Sequence, residues 1–186
     1  FWFTMFRTTG NKQYLKDGMI VMDEDDCMVA MAKFYLDFTV EESCGKCAPC
    51  RIGNKRLHEM LQKITSGNGT IEDLERLRNL AGVIKDTALC GLGQTSPNPV
   101  LSTMDNFYDE YLAHVKEKRC PSHQCRELTQ YFINPEKCKG CTLCARMCPV
   151  NAITGDKKVP HVIDPQTCIR CGSCIERCKF GAIYVH

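Results

Sequence analysis

Fifteen of the 186 residues are cysteines, and eleven of them stand in three short groups with two or three residues between neighbours. Thiolates at this spacing are typical ligands of iron–sulfur clusters. An odd number of cysteines in repeated C-x-x-C groups argues against a disulfide scaffold, and it favours metal ligation in a reducing compartment. The composition therefore predicts a metal-binding protein of the cytoplasm.

The last third of the sequence contains an internal repeat. Residues 133–154 align without a gap on residues 163–184, and each copy contains one C-x2-C-x2-C-x3-C run. The runs are Cys138, Cys141, Cys144 and Cys148, and then Cys168, Cys171, Cys174 and Cys178. Two such runs exceed what a structural zinc knuckle needs, so the repeat predicts iron–sulfur clusters.

This repeat resembles the pattern of bacterial two-cluster ferredoxins over residues 133–186. In that family the fourth cysteine of each run ligates the cluster of the other run. The resemblance therefore implies two 4Fe–4S clusters, one on Cys138, Cys141, Cys144 and Cys178, and one on Cys168, Cys171, Cys174 and Cys148. Pro149 follows the first run as in the family, whereas Lys179 follows the second run and departs from the family pattern.

The third group, Cys44, Cys47 and Cys50, is one thiolate short of the four that a 4Fe–4S cluster usually takes. No further cysteine follows until Cys90. The spacing alone leaves three alternatives, which are a cluster with a distant fourth ligand, a cluster with an open iron, and a loop of free thiols.

Three stretches around these cysteines, GMIVMDEDDCMVAMAKFYLDF, ESCGKCAPCRIG and DTALCGLGQTSPNP, resemble the iron–sulfur domain of the flavoprotein subunit of NADH dehydrogenases, respiratory complex I. The same domain occurs in homologous subunits of NAD(P)-dependent iron-only hydrogenases and formate dehydrogenases. The resemblance runs from about Gly18 to Arg119 and implies one 4Fe–4S cluster on Cys44, Cys47, Cys50 and Cys90. The open-iron alternative is disfavoured because radical enzymes with such clusters use C-x3-C-x2-C spacing.

That family also has a flavin- and NADH-binding domain on the N-terminal side, and this sequence does not contain it. The chain is therefore expected to be a fragment or a shortened paralogue, with FMN and NAD(H) only in a missing N-terminal part or in a partner. No catalytic residue is expected in the chain itself.

The predicted fold class is α+β, with an N-terminal four-helix bundle that carries an iron–sulfur loop, followed by a small two-cluster ferredoxin-like α+β domain. Thr70 is the expected N-cap of one helix, and a last helix is expected from Asn98 with an apolar stripe that reaches Val115. The stripe of the helix before Thr70 is Leu57, Met60, Leu61 and Ile64. The expected divisions are a lead-in at 1–22, a helical iron–sulfur domain at 23–119, a connector at 120–132 and a two-cluster ferredoxin domain at 133–186.

Three cysteines are left over, Cys27, Cys120 and Cys125. With His114 they would make a Cys3His set, which is a common structural zinc site, if the first and last helices are neighbours. His123 is the alternative fourth ligand. A zinc ion, a 2Fe–2S centre and ordinary thiols are three alternatives for this set. The remaining histidines, His58, His161 and His186, are expected to be surface residues.

Taken together, these patterns predict an electron-transfer subunit or fragment, which relays single electrons between an NAD(P)H-linked flavin site and a hydrogenase or ferredoxin partner. The appended ferredoxin module favours the hydrogenase type, including electron-bifurcating forms. The expected partners are a hydrogenase catalytic subunit, a thioredoxin-like 2Fe–2S subunit and a ferredoxin. Formate-dehydrogenase-type or complex I-type oxidoreductases, and a non-redox assembly module, are the alternatives. A net charge of +2 gives no case for nucleic acid, and no apolar run is long enough to span a bilayer.

Overall fold

A computed structural model of the chain describes residues 5–7, 20–23 and 25–185. The chain divides into two compact units, Phe1–Leu128 and Thr129–His186. The predicted connector, 120–132, is therefore shared between the two units. Most of the predicted lead-in lies outside the described residues, although its two short strands, given next, are described.

The first unit is helix-rich. Its elements are the parallel strand pair β1 (Met5–Arg7) and β2 (Ile20–Met22), α1 (Met28–Glu41), a π-helical turn (Pro49–Gly53), α2 (Asn54–Thr65), α3 (Ile71–Thr87), α4 (Gly91–Thr95), α5 (Asn98–Asn106), α6 (Tyr108–Leu112), a second π-helical turn (Ala113–Glu117) and a 3-10 turn (Arg126–Leu128). The arrangement of these helices as a four-helix bundle stays a prediction.

A capping box fixes the start of α3, as the sequence predicts. The Thr70 side chain accepts a hydrogen bond from the Asp73 N–H, and the Asp73 carboxylate accepts one from the Thr70 N–H. Lys63 of α2 lies 2.7 Å from the same carboxylate. Burial alone would raise the pKa of Asp73, but the bonds from Lys63 and Thr70 outweigh it and lower the pKa. The ion pair thus ties the end of α2 to the start of α3.

The core of the first unit lies where α1, α2, α3 and α5 face one another. The large, fully buried side chains of this core are Leu36, Leu57, Leu61, Ile64, Leu74, Leu77, Ile84, Met104 and Tyr111. The expected last helix is divided, because Phe107 leaves helical geometry at φ −133° and ψ 37°. Beyond this break Tyr108 is exposed, whereas Tyr111 is buried and its hydroxyl lies 2.8 Å from the Thr103 hydroxyl.

The second unit is built from two small antiparallel sheets and two short helices. In it, β3 (Tyr131–Ile133) pairs with β6 (Ile183–Val185), and β4 (Ile153–Thr154) pairs with β5 (Val162–Ile163). The helices are α7 (Leu143–Met147) and α8 (Ser173–Arg177). Helices and small sheets together give the α+β class that the sequence predicts.

The internal repeat is also a repeat of backbone conformation. Three positions in each copy have a left-handed backbone conformation, and the two sets of positions differ by the same offset of 30 residues. They are Gly140, Thr142 and Asn151 in the first copy, and Arg170, Gly172 and Gly181 in the second. A side chain on Gly140 would lie 2.5 Å from the backbone nitrogens of Lys158 and Val159, so this position requires glycine. Each copy therefore forms the same loop around its cysteines.

The apolar core of the second unit is small. Its buried members are Cys144, Ile153, Ile163 and Ile183, and several other cysteines pack against them. A unit of this size buries little apolar surface, so ligand-to-metal bonds are needed to contribute to its folding free energy. Among the described residues of both units, no helix has the length and apolar composition to cross a membrane.

Candidate metal centres

The group of three cysteines lies on the loop that enters the first π-helical turn. Cys44 is exposed, Cys47 is half-buried, and Cys50 is buried inside the turn. Gly45 has a φ of 72°, which is the left-handed region that favours glycine, and it lets the loop reverse between the first two cysteines. The loop thus presents its sulfur atoms at increasing depth.

The segment that contains Cys90 lies against this loop, although α2 and α3 separate them in the sequence. The pKa of the Cys47 thiol is lowered, first because the backbone N–H of Leu89 hydrogen-bonds it and next because that of Cys50 does. A Cβ atom on Gly93 would lie 3.3 Å from the Cys50 Cβ. The α2–α3 hairpin therefore returns the residues on both sides of Cys90 to the cysteine group, as a distant fourth ligand requires.

Two buried polar side chains, Asn54 and Ser96, support the sulfur of Cys50. The Asn54 side-chain amide donates to Cys50 Sγ at 3.5 Å, and the Ser43 hydroxyl lies 3.2 Å from the same sulfur. The Ser96 hydroxyl lies 2.8 Å from Asn54 Oδ1 and 2.9 Å from the Gly93 carbonyl oxygen. The cysteine spacing does not reveal these residues, although Asn54 follows Cys50 by four positions and so lies on the same helix face.

In the second unit, one cavity is lined by three cysteines of the first repeat and one of the second. Its cysteines are Cys138, Cys141, Cys144 and Cys178. A second cavity is lined by Cys148, Cys168, Cys171 and Cys174. The other walls of both cavities are mainly apolar. The structure thus brings together both predicted sets of four.

Backbone N–H groups favour the thiolate form of these sulfur atoms, whereas burial opposes it. The Ala152 N–H donates to Cys148 Sγ at 3.2 Å, and the equivalent Ala182 N–H donates to Cys178 Sγ at 3.3 Å. Burial, and next the nearby Cys168, raise the pKa of Cys174 to about 11. The protein without metal therefore holds such thiols protonated, and iron would displace those protons.

The four leftover ligand residues meet at one buried point in the first unit. The ligand atoms of Cys27, His114, Cys120 and Cys125 all lie within 4.8 Å of one another. His114 Nε2 lies 3.4 Å from Cys27 Sγ and 3.3 Å from Cys125 Sγ, and the two sulfur atoms are 3.7 Å apart. Four such donors at these distances can surround a single ion.

The surroundings of His114 orient its ring toward the three thiols. Nδ1 donates to the Glu110 carbonyl oxygen at 2.7 Å, which leaves Nε2 facing the sulfur atoms. Burial lowers the pKa of His114, but hydrogen bonds with Cys120 and Cys27 outweigh it and raise the pKa to about 10. The pKa of Cys120 is lowered by hydrogen bonds from Cys125 and Cys27, and the pKa of Cys125 is raised because it is a donor in that pair.

The loop that carries Cys120 and Cys125 is held against the start of α1. Cys27 is the N-cap of α1, and its sulfur accepts the Ala30 N–H at 3.5 Å. The Gln124 side chain accepts from the Cys27 N–H and donates to the Asp25 carbonyl. His123 is exposed and lies outside the four-residue set, so it does not serve as the alternative ligand in this structure.

The histidines expected at the surface differ from one another. His58 is partly exposed and its Nε2 lies 2.6 Å from Asp37 Oδ1. His161 is 2% exposed, so the prediction of a surface residue is wrong for it. Its burial depends on the close packing of the 155–161 loop, which local sequence does not reveal. His186 lies outside the described residues.

Replacing Ser96 with alanine is expected to destabilise the first unit by about 1–3 kcal/mol, because the buried Asn54 oxygen loses a donor. The measurement is the thermal unfolding midpoint of the anaerobically purified protein. Ser66→Ala is the matched control, since the Ser66 hydroxyl donates to the Lys63 carbonyl and accepts from the Asn68 side chain near the surface. Equal midpoints for the two variants would contradict the role assigned to Ser96.

Comparisons with known proteins identify two families along the chain. Residues 30–114 match the NADH-ubiquinone oxidoreductase-F iron–sulfur binding region. Residues 137–182 match the 4Fe–4S dicluster domain. The first region contains Cys44, Cys47, Cys50 and Cys90, and the second contains both four-cysteine runs, so the chain binds iron–sulfur clusters.

Several curated proteins are similar to the chain. The NADP-reducing hydrogenase subunit HndC of Solidesulfovibrio fructosivorans is 66% identical over 166 residues, which is 89% of this chain and 34% of that protein. One subunit of the NADH-quinone oxidoreductase of Mycobacterium bovis is 38% identical over 54% of this chain and 23% of its own length. The chain thus spans about a third or less of these relatives. A solved NAD⁺-reducing [NiFe]-hydrogenase chain in the H2-reduced state is 32% identical, with a TM-score of 0.49 over 53% of this chain and 17% of that chain.

Proposed function

We propose that the chain is an electron-transfer part of an NAD(P)H-linked hydrogenase. Its residues 30–114 belong to the NADH-ubiquinone oxidoreductase-F iron–sulfur binding region, and its residues 137–182 belong to the 4Fe–4S dicluster domain. The observation that carries the proposal is the 66% identity to an NADP-reducing hydrogenase subunit. That alignment covers 166 of the 186 residues, so it extends beyond the first iron–sulfur region into the second. A formate-dehydrogenase-type assembly is the second candidate, because the beta subunit of the NADP(+)-dependent formate dehydrogenase of Moorella thermoacetica is 38% identical over 52% of the chain.

Three 4Fe–4S clusters are proposed, on the ligand sets that the sequence predicts. The first is held by Cys44, Cys47, Cys50 and Cys90, at one end of a four-helix bundle. The second is held by Cys138, Cys141, Cys144 and Cys178, and the third by Cys168, Cys171, Cys174 and Cys148. A bound cluster of this kind supplies one-electron transfer at a potential set by its surroundings.

The residues around the clusters have three tasks in this proposal. The thiolates ligate iron, and the apolar cavity walls of the second unit exclude water. Asn54 and the alanine N–H groups donate hydrogen bonds to ligand sulfur, which stabilises the negative charge of a reduced site. Electrons are proposed to arrive from a flavin outside the described chain and to leave toward a hydrogenase catalytic subunit, a thioredoxin-like 2Fe–2S subunit or a ferredoxin.

A zinc ion is proposed for the Cys27, His114, Cys120 and Cys125 set. Zinc–sulfur bonds of about 2.3 Å in a tetrahedral site place two sulfur ligands about 3.8 Å apart. The Cys27 and Cys125 sulfurs, at 3.7 Å, support this size. A 2Fe–2S centre distributes its ligands over two irons and needs a wider set. Zinc does not change its oxidation state, so the site is proposed to hold structure and not to carry electrons.

The holoprotein is expected to contain about twelve iron atoms per chain and to be reduced by dithionite. Cys90→Ser should lower the iron content to about eight and remove one electron paramagnetic resonance signal, since it deletes one ligand of the helical-domain cluster. The control is Leu89→Ser, which changes the exposed neighbouring side chain but keeps its backbone N–H. Full iron in Cys90→Ser would contradict the ligand assignment, and clusters that resist reduction would favour the non-redox assembly module.

Crossed ligation predicts which signal each ferredoxin-domain variant loses. Cys148→Ala should lose the same electron paramagnetic resonance signal as Cys168→Ala, because both sulfurs line one cavity. Cys178→Ala should likewise lose the same signal as Cys138→Ala. A match between Cys148→Ala and Cys138→Ala would instead indicate that each repeat binds its own cluster.

The zinc proposal predicts roughly one zinc per chain in anaerobically purified protein, from the ligand count of a closed tetrahedral site. Cys120→Ser should remove the zinc and leave the iron content unchanged, because Cys120 interacts with the other members of the proposed zinc set, Cys27, His114 and Cys125. His123→Ala is the control and should keep its zinc, since His123 lies outside the set. Elemental analysis of the three proteins is the measurement. If the wild-type protein contains iron but no zinc, the zinc proposal is wrong and these residues are three ordinary thiols and a histidine.

A further inference from the structure

The His161 side chain is buried in the second unit, and no described residue forms a hydrogen bond with its ring. Its side chain is 2% exposed, and among the described residues neither Nδ1 nor Nε2 has a partner. A buried polar group without a partner loses its hydration and gains nothing in return, so its burial is unfavourable. This loss of free energy is large relative to the small apolar core of the unit. The ring is therefore expected to have a hydrogen-bond partner when the unit holds its iron–sulfur clusters.

The ring of His161 lies at a sulfur-lined cavity and its position is fixed by packing. His161 lines the cavity that contains Cys138, Cys141, Cys144 and Cys178. Gly155 packs against it on another side, because a Cβ atom there would lie 2.8 Å from His161 Cγ. Gly155 has a φ of 149°, and because it has no side chain it leaves room for the His161 ring.

The internal repeat provides a comparison inside the same molecule. The residue 30 positions earlier is Tyr131, and it lines the other cavity. Its hydroxyl lies 3.3 Å from the place where a Cβ atom of Gly172 would be. The alanine N–H bonds to Cys148 and Cys178 are the same in both halves, so they do not distinguish the two cavities. The exchange of a phenol for a buried imidazole does distinguish them.

We propose that His161 is a positioning residue, whose ring N–H donates a hydrogen bond to sulfur of the cluster held by Cys138, Cys141, Cys144 and Cys178. Hydrogen bonds to sulfur stabilise the extra negative charge of a reduced cluster and raise its reduction potential. The first-repeat cluster therefore has a higher potential than it would have with an aromatic carbon ring at position 161. This inference rests on the proposed function, since it requires both clusters to be present.

An imidazole can serve in this way without gaining a proton. A neutral ring has one N–H donor and one bare nitrogen, so a single hydrogen bond to sulfur uses the donor. Besides the four cysteines and Lys139, which has only donor N–H groups on its side chain, the cavity is lined by apolar residues such as Ile133, Leu143 and Phe180. Cluster sulfur is thus the acceptor that the loaded cavity offers to this donor.

The test is a potentiometric titration of the holoprotein, followed by electron paramagnetic resonance. His161→Phe should lower the potential of the cluster whose signal is lost in Cys138→Ala, while the other cluster potential and the iron content stay unchanged. Tyr131→Phe is the matched control at the equivalent position and should leave the first-repeat cluster unshifted. His161→Gln keeps an N–H donor and should restore part of the difference. Unchanged potentials in His161→Phe would overturn the proposal.

A second measurement on the wild-type protein covers the case in which His161→Phe fails to assemble. With ¹⁵N placed only in histidine, electron spin echo spectra of the reduced protein should show nitrogen coupling to one cluster. If neither ferredoxin-domain cluster shows nitrogen coupling, the inference is overturned and the proposed function is left intact. A wild-type protein with no reducible cluster would overturn the proposed function itself, so the two failures are distinguishable.

Discussion

Sulfur atoms from distant parts of the chain must converge within a few ångströms, and both units are built around this constraint. In the first unit, the α2–α3 hairpin brings the Cys90 segment back to the cysteine loop, and a short loop carries Cys120 and Cys125 to the start of α1. In the second unit, each cavity draws its fourth cysteine from the other repeat. Crowded thiols do not favour this arrangement alone, because burial and neighbouring thiolates raise the pKa of Cys174. A positive centre is what makes the convergence favourable.

Buried polar groups near these sulfurs follow a common rule. Asn54 has both its acceptor and its donor matched, and His114 is fixed by the Glu110 carbonyl on the side away from the thiols. Each of these groups is therefore oriented before any ion binds, which lowers the cost of forming the site. His161 differs because no described residue plays that part for it. The contrast places its partner inside the cavity and not in the surrounding protein.

Spacing in the sequence predicted the features that local chemistry determines. The cysteine runs, the repeat and the Thr70 cap are of this kind, because each depends on residues a few positions apart. The break at Phe107 was missed, since apolar periodicity continues through it and only packing of Tyr111 against Thr103 shows the turn. The burial of His161 was also missed, because it depends on Gly155 and on a cavity formed by cysteines of both repeats. Contacts between residues that are far apart in the sequence cannot be predicted from any short stretch of it.

The exchange of fourth cysteines between the repeats has a consequence for biosynthesis. As the chain leaves the ribosome, the first repeat exposes three sulfurs that cannot complete their cavity until Cys178 has been made. The other cavity, which already has Cys148, is completed when Cys174 emerges. Only the short step from Cys174 to Cys178 therefore separates the completion of the two cavities. Iron–sulfur assembly factors would therefore meet both complete cysteine sets at almost the same point of translation.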